Sequence, residues 1–65
     1  MRILVNGAWH ELRGAQLAAA LAELGYAGRT VSTAVNGEFV AAGAREHTAL
    51  REGDRVEVLA PMQGG

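Results

Sequence analysis

The stretch RILVNGAWHEL, residues 2–12, decides how the chain begins to fold. Its first part, residues 2–6, is rich in residues that favour β-strands. Asn6 and Gly7 then form the residue pair preferred in two-residue hairpin turns, where both central residues take a positive φ. Residues 8–12 can return as the second strand. The sequence therefore predicts that the fold opens with a β-hairpin.

A short helix is predicted directly after this hairpin. From Ala15 onward the spacing of apolar residues changes to three and four, which is the period of an amphipathic helix. The apolar face consists of Leu17, Ala20, Leu21 and Leu24. Gly25 follows and suits the left-handed position that ends many helices. No Ser, Thr, Asp or Asn precedes the helix, so Arg13 or Gly14 is expected to serve as its N-cap.

The middle of the chain carries a second hairpin signal. Residues 30–35 are rich in β-branched residues, Asn36 and Gly37 form the turn, and residues 38–40 form a short partner strand. Residues 41–50 show no clean period of either kind. They are predicted to form a connecting loop with one irregular helical turn.

A fifth strand is predicted at residues 55–59, RVEVL. Its alternation buries Val56 and Val58 and exposes Glu57. Five strands and one helix, in this order, predict an α+β roll in which a single helix covers one face of a mixed sheet. Residues 61–65 are left with nothing to pack against and are expected to form a flexible tail.

Composition excludes several classes of protein. With 65 residues and a formal charge of −1, the chain is expected to form one domain, residues 1–65, too small for an internal catalytic cleft. It has no cysteine, and His10 and His47 lack further ligands at metal-binding spacing, so no metal site is predicted. Charges of both signs are spread along the chain, which argues against nucleic acid as a partner. No apolar run suits a signal peptide or membrane span, so a cytoplasmic protein is expected.

The sequence ends in Gly64 and Gly65, and this ending completes a resemblance that spans essentially the whole chain. The sequence resembles the ubiquitin-like β-grasp sulfur carriers, most closely those of the ThiS type. The resembling segments are MRI at 1–3, VNG at 5–7, LAELG at 21–25, AVNGEFV at 34–40, LREGDRVEV at 50–58 and the final Gly-Gly. Ala41 departs from the pattern, because many carriers have proline there.

The resemblance implies a β-grasp fold and a sulfur carrier for the thiazole ring of thiamin. The Gly65 carboxylate would be adenylated by a ThiF-like partner enzyme, which binds the ATP, and then converted to a thiocarboxylate with sulfur from a persulfide, such as that of a cysteine desulfurase. A ThiG-like thiazole synthase would accept the sulfur. The carrier itself would be a cosubstrate that is not an enzyme and binds no cofactor.

A partner-binding surface is also predicted. In the usual β-grasp strand order, second-first-fifth-third-fourth, residue parity places one row of side chains on the face away from the helix. The row, in lateral succession, is Trp9, Leu4, Leu59, Ala34 and Phe39. Exposed aromatic residues are typical of interface hot spots, which predicts docking through Trp9, Leu4, Phe39 and Leu59, together with Met62 in the tail.

The chain contains no lysine, since all six of its basic residues are arginines. One interpretation is a bias in base composition. The functional hypothesis is that a protein with an activated carboxyl end benefits from lacking side-chain amines.

Three other functions remain open on the sequence. The small subunit of molybdopterin synthase, or a carrier for another sulfur metabolite, would use the same tail chemistry. A β-grasp binding module would not need Gly64 and Gly65 at all. A protein modifier would become joined to lysines of target proteins.

Overall fold

The computed structural model describes residues 1–61 and contains five strands, one α-helix and one 3₁₀ helix. The strands are β1 (Arg2–Val5), β2 (Ala8–Glu11), β3 (Ser32–Val35), β4 (Glu38–Val40) and β5 (Arg55–Leu59). The helix α1 (Leu17–Glu23) follows β2, and the 3₁₀ helix (Ala42–His47) follows β4. These elements confirm the predicted order, although the third strand begins at Ser32 and not at residue 30.

The strands form one mixed sheet in the order β2-β1-β5-β3-β4. Only β1 and β5 are parallel, and the other neighbouring pairs are antiparallel. One face of the sheet packs against α1 around a core of buried apolar side chains. The buried set is Ile3, Val5, Leu12, Leu17, Ala20, Leu21, Leu50, Val56 and Val58. The predicted β-grasp fold, a mixed five-stranded sheet with one main helix, is confirmed.

The helix ends as its sequence predicts. Gly25 has a φ of +92°, in the left-handed region where a side chain is disfavoured. Its N–H donates to the carbonyl oxygen of Ala22, and the N–H of Tyr26 donates to that of Leu21. These two bonds are the Schellman pattern, which satisfies carbonyls at the end of a helix.

The prediction for the start of the helix is wrong. The N-cap is Gln16, whose side chain makes no capping hydrogen bond. Arg13 and Gly14 are instead held by Glu23 from the far end of α1, whose carboxylate accepts their backbone N–H groups at 2.9 and 2.5 Å. A Cβ at Gly14 would lie only 2.5 Å from the Cβ of Ala19, so glycine is needed here for close approach to the helix.

Acid should weaken the hydrogen bonds from the backbone of Arg13 and Gly14 to the carboxylate of Glu23. The backbone N–H groups of Arg13 and Gly14 hold the pKa of Glu23 below its usual 4.5. Because the pKa is lower in the folded state, the stabilisation is complete above the ordinary pKa and is lost as the pH falls through the folded value. Denaturant titrations of wild type and Glu23→Gln from pH 6 to pH 3 should show the wild-type advantage shrinking. A difference in stability that stays constant over this range would contradict the assignment.

The central strand β5 extends beyond the end of β1 that pairs with it. The side chain of Asn6 supplies hydrogen bonds to the part of β5 that β1 does not reach. Asn6 lies in the first hairpin turn with a φ of +48°. Its side-chain amide donates to the carbonyl oxygen of Val58 at 3.1 Å and accepts the N–H of Val58 at 2.9 Å. The side-chain amide thus takes the place of a residue in a neighbouring strand. It satisfies both the N–H and the carbonyl oxygen of Val58, near the end of β5.

Removing this amide should destabilise the domain. Asn6→Gly keeps the left-handed backbone but loses both bonds to Val58, which predicts a loss of about 1–3 kcal/mol in the free energy of unfolding. Urea denaturation measures it. The matched control is Asn36→Gly in the second turn, whose amide bonds to Asp54 and Arg55 are exposed and should contribute less. Equal losses in the two variants would show that burial of the bonds does not matter.

The connector between β4 and β5 is fastened to the sheet by Arg45. Its guanidinium donates to the hydroxyl oxygen of Thr33 at 3.0 Å and to the carbonyl oxygen of Val31 at 2.6 Å. Thr33 is buried and its hydroxyl donates in turn to the carbonyl oxygen of Val40. One arginine therefore joins the predicted irregular helical turn, residues 42–47, to the start of β3.

No α-helix among residues 1–61 is long and apolar enough to cross a membrane.

Candidate functional site

The chain leaves the sheet at the end of β5. Leu59 pairs with Ser32, so this end of β5 lies beside the start of β3. Ala60 and Pro61 follow, and with Arg29 and Thr30 they line a shallow open depression. The predicted sulfur-carrying residues Gly64 and Gly65, the predicted partner contact Met62 and most of the predicted flexible tail lie outside the described residues.

The outer face of the sheet carries large exposed apolar side chains. Trp9 is 51% exposed, Phe39 73% and Leu59 69%. Leu4 and Ala34 are half-buried on the same face, while their neighbours Ile3 and Val5, of opposite parity, lie in the core. The predicted parity of these residues therefore matches the structure. Their role in binding a partner stays a prediction.

The predicted lateral succession of these residues is wrong. Leu4 lies level with Arg55 at the beginning of β5, not with Leu59 at its end. Ala34 lies level with Glu57. The registers of β5 with β1 and with β3 thus place Arg55 and Glu57 between the apolar groups. The continuous stripe becomes two separate patches.

The first patch, called here the tail-root patch, consists of Ala34, Phe39 and Leu59. These side chains, with Ser32 and Glu57, line an open depression on the outer face whose surface is mainly apolar. Glu57 provides one negative charge in it. Because Leu59 is the last residue of β5, the patch is continuous with the point where the chain leaves the sheet.

The second patch, called the edge patch, consists of Leu4 and Trp9 near the opposite edge. Trp9 is partly covered, because the guanidinium carbon of Arg2 lies 4.6 Å from the centre of its ring. Such a cation–π contact binds a charged and hydrated group to the aromatic face. The edge patch is therefore partly covered by a charged group, and it lies farther from the end of β5.

The two histidines lie on separate elements of the fold. His10 lies on β2 and His47 ends the 3₁₀ helix, and both are exposed. Within residues 1–61, no cluster of three or more His, Cys, Asp or Glu side chains could hold a metal ion.

Sequence reasoning placed Glu57 on the exposed side of β5, but it missed that Ser32, Glu57 and Arg55 lie beside the apolar groups of the outer face. Their position depends on which residues of β1, β3 and β5 lie level with each other. Alternation within one strand fixes the face but not the lateral neighbours, so no signal in the sequence could have identified them.

Comparison with known proteins relates the whole chain to one family. The family model described as "ThiS family" matches residues 3–65. Among solved structures, the chain is similar to the thiamine biosynthesis protein (ThiS) from Geobacter metallireducens, with 33% sequence identity, a TM-score of 0.82 and coverage of 100% of both chains. The search of curated proteins gave no significant match.

Proposed function

Because this chain belongs to the ThiS family, we propose that it carries sulfur for the synthesis of the thiazole ring of thiamin. The observation that carries the proposal is the family match, which extends through Gly64 and Gly65 to the end of the sequence. The similar solved protein is itself named for thiamine biosynthesis. In this role the protein is a cosubstrate of other enzymes and catalyses no step itself.

The proposed chemistry takes place at the carboxylate of Gly65. In a ThiF-like partner enzyme, a carboxylate oxygen attacks the α-phosphorus of ATP, and pyrophosphate leaves. A persulfide sulfur, from a donor such as a cysteine desulfurase, then attacks the acyl carbon and AMP leaves. A thiol cleaves the resulting S–S bond, which frees the thiocarboxylate. A ThiG-like thiazole synthase takes the sulfur from Gly65.

Glycine suits this position for steric reasons. The acyl end must enter a narrow site from which water is excluded, since water would hydrolyse the acyl-adenylate. Without a Cβ, Gly64 and Gly65 can adopt backbone angles closed to other residues, and the acyl carbon stays open to the approaching sulfur.

The tail-root patch is the proposed docking surface for these partners. Phe39 and Leu59 are large, apolar and exposed, and the patch continues to the point where the tail begins. Four residues beyond Pro61 span at most about 14 Å, so a partner that binds the end of the chain must lie close to this patch. An apolar surface with a cationic group facing Glu57 would complement it. Trp9 and Leu4 in the edge patch, and Met62, remain predicted contacts.

Labelling of the carboxyl end tests the proposal. The protein is incubated with a ThiF-like enzyme, ATP and a persulfide donor, then treated with an alkylating reagent selective for sulfur and digested. We expect the label on the C-terminal peptide only when ATP is present. The peptide must be identified, because exchanging oxygen for sulfur changes the mass by nearly as much as oxidation of Met1 or Met62. A chain shortened by Gly64 and Gly65 is the control, and absence of label on Gly65 would refute the proposal.

A further inference from the structure

The chain has very few groups that can trap an activated carboxyl as a stable amide. All six basic residues in the 65-residue sequence are arginines, and there is no cysteine. A guanidinium stays protonated and is a poor nucleophile, whereas a lysine amine attacks activated acyl groups readily. With no lysine in the given sequence, the amine to consider is the α-amino group of Met1.

The fold engages that amine within the first hairpin. The Met1 ammonium donates to the carbonyl oxygen of Leu12 at 2.6 Å, and the N–H of Leu12 donates back to the carbonyl oxygen of Met1 at 2.8 Å. The two residues thereby add one more bonded pair to the β1–β2 ladder. The ammonium also lies 3.3 Å from a carboxylate oxygen of Glu11. To act as a nucleophile, the amine must lose a proton and break both contacts.

Met1 lies far along the sheet from Leu59, where the chain leaves it. Leu4 lies level with Arg55, Met1 is three residues before Leu4, and Leu59 is four residues after Arg55. At about 3.3 Å per residue, Met1 and Leu59 are separated by roughly 23 Å along the sheet. The six residues beyond Leu59 span at most about 20–22 Å when fully extended. To bring the acyl end to the amine, the tail would have to lie almost fully extended back along the sheet.

We propose that these features let the protein donate its activated Gly65 acyl group to a sulfur nucleophile while its own Met1 amine does not accept that group. The inference rests on the proposed function, because it concerns Gly65 once it is activated. The excluded reaction is aminolysis: an amine nitrogen bonds to the acyl carbon, the bond to AMP breaks, AMP leaves and protons pass to solvent. Neither its own Met1 nor that of a second copy competes well with an external sulfur nucleophile. The acyl group is thus kept for sulfur and does not link copies of the chain into amides.

The test activates Gly65 without any partner enzyme. The full chain is released from an intein fusion as a C-terminal thioester, and amide formation is followed by mass spectrometry and peptide mapping. Arg29→Lys introduces an amine next to Ala60 and Pro61. Arg51→Lys is the matched control, since Arg51 bonds to Asp54 in the turn at the far end of β5.

Wild type and Arg51→Lys should lose the thioester only by hydrolysis. Arg29→Lys should form an internal amide at least about tenfold faster than either, because its amine lies beside Ala60 and Pro61, within the span of the four residues that follow. Rapid amide formation at Met1 of the wild type would overturn the inference, and so would folded Arg29→Lys that forms no amide. Since no adenylating enzyme is used, failure here is distinct from failure of the proposed function.

A second measurement addresses Met1 alone. Acetylation of the Met1 amine by an N-hydroxysuccinimide ester should be at least about tenfold slower in the folded protein than in urea at the same pH, because the reaction requires local opening of the hairpin. Equal rates in the two conditions would show that the contacts with Leu12 and Glu11 give no protection.

Discussion

Gly65→Ala should lower the rate of thiocarboxylate formation at least about a hundredfold, since small misplacements of a reacting group have effects of this size. The added methyl group would lie beside the acyl carbon and obstruct both entry into the adenylating site and the approach of the persulfide sulfur. The measurement is the rate of C-terminal sulfur labelling with saturating ATP and enzyme. The melting temperature should not change.

The control for this variant is a glycine whose replacement meets no obstacle. A Cβ at Gly43 in the 3₁₀ helix would have no atom within 4 Å, and Gly43 is not among the positive-φ glycines. Gly43→Ala should load sulfur at the wild-type rate. If Gly65→Ala also loads at that rate, the end of the chain is not the reacting group.

Phe39→Ala should weaken binding of the ThiF-like enzyme by about 30-fold or more, which corresponds to the roughly 2 kcal/mol of an interface hot spot. Phe39 is 73% exposed in the tail-root patch, so its replacement removes little core packing and should leave stability nearly unchanged. Isothermal titration calorimetry measures the affinity, and thermal unfolding of the free protein checks the fold.

Trp9→Ala is the matched aromatic control in the edge patch. Trp9 is 51% exposed, lies under the guanidinium of Arg2 and is remote from Leu59, where the chain leaves the sheet, so the loss of affinity should be smaller. A larger loss from Trp9→Ala than from Phe39→Ala would move the docking surface to the β2 edge.

Local sequence signals predicted most of the fold because they act over a few residues. The Asn-Gly turn residues Asn6 and Asn36 both have positive φ, and Gly25 ends the helix as expected. The start of the helix was predicted wrongly, because local capping rules do not include contacts with distant residues. The backbone N–H groups of Arg13 and Gly14 bond to Glu23, ten and nine residues further along the chain. The hydrogen bonds from Asn6 to Val58 join residues 52 apart in the sequence. They depend on the strand order, which cannot be predicted from turn propensity.

The sequence predicted which apolar side chains lie on the outer face but not which of them lie side by side. Parity alone placed Phe39 and Leu59 on the outer face. Their separation from Trp9 follows from the parallel register of β1 and β5, which is set by packing of the whole sheet. The predicted role of Gly65 came from family resemblance, since a final glycine pair has no structural signature of its own.

The central place of β5 in the sheet has a mechanical consequence. A partner that draws the end of the chain into its own site pulls on β5 along the strand axis. Because β5 is bonded on one side to β1 and on the other to β3, the load falls on many hydrogen bonds in shear at once. An edge strand would instead peel away bond by bond. The domain is therefore expected to resist unfolding when a partner pulls on the end of its chain.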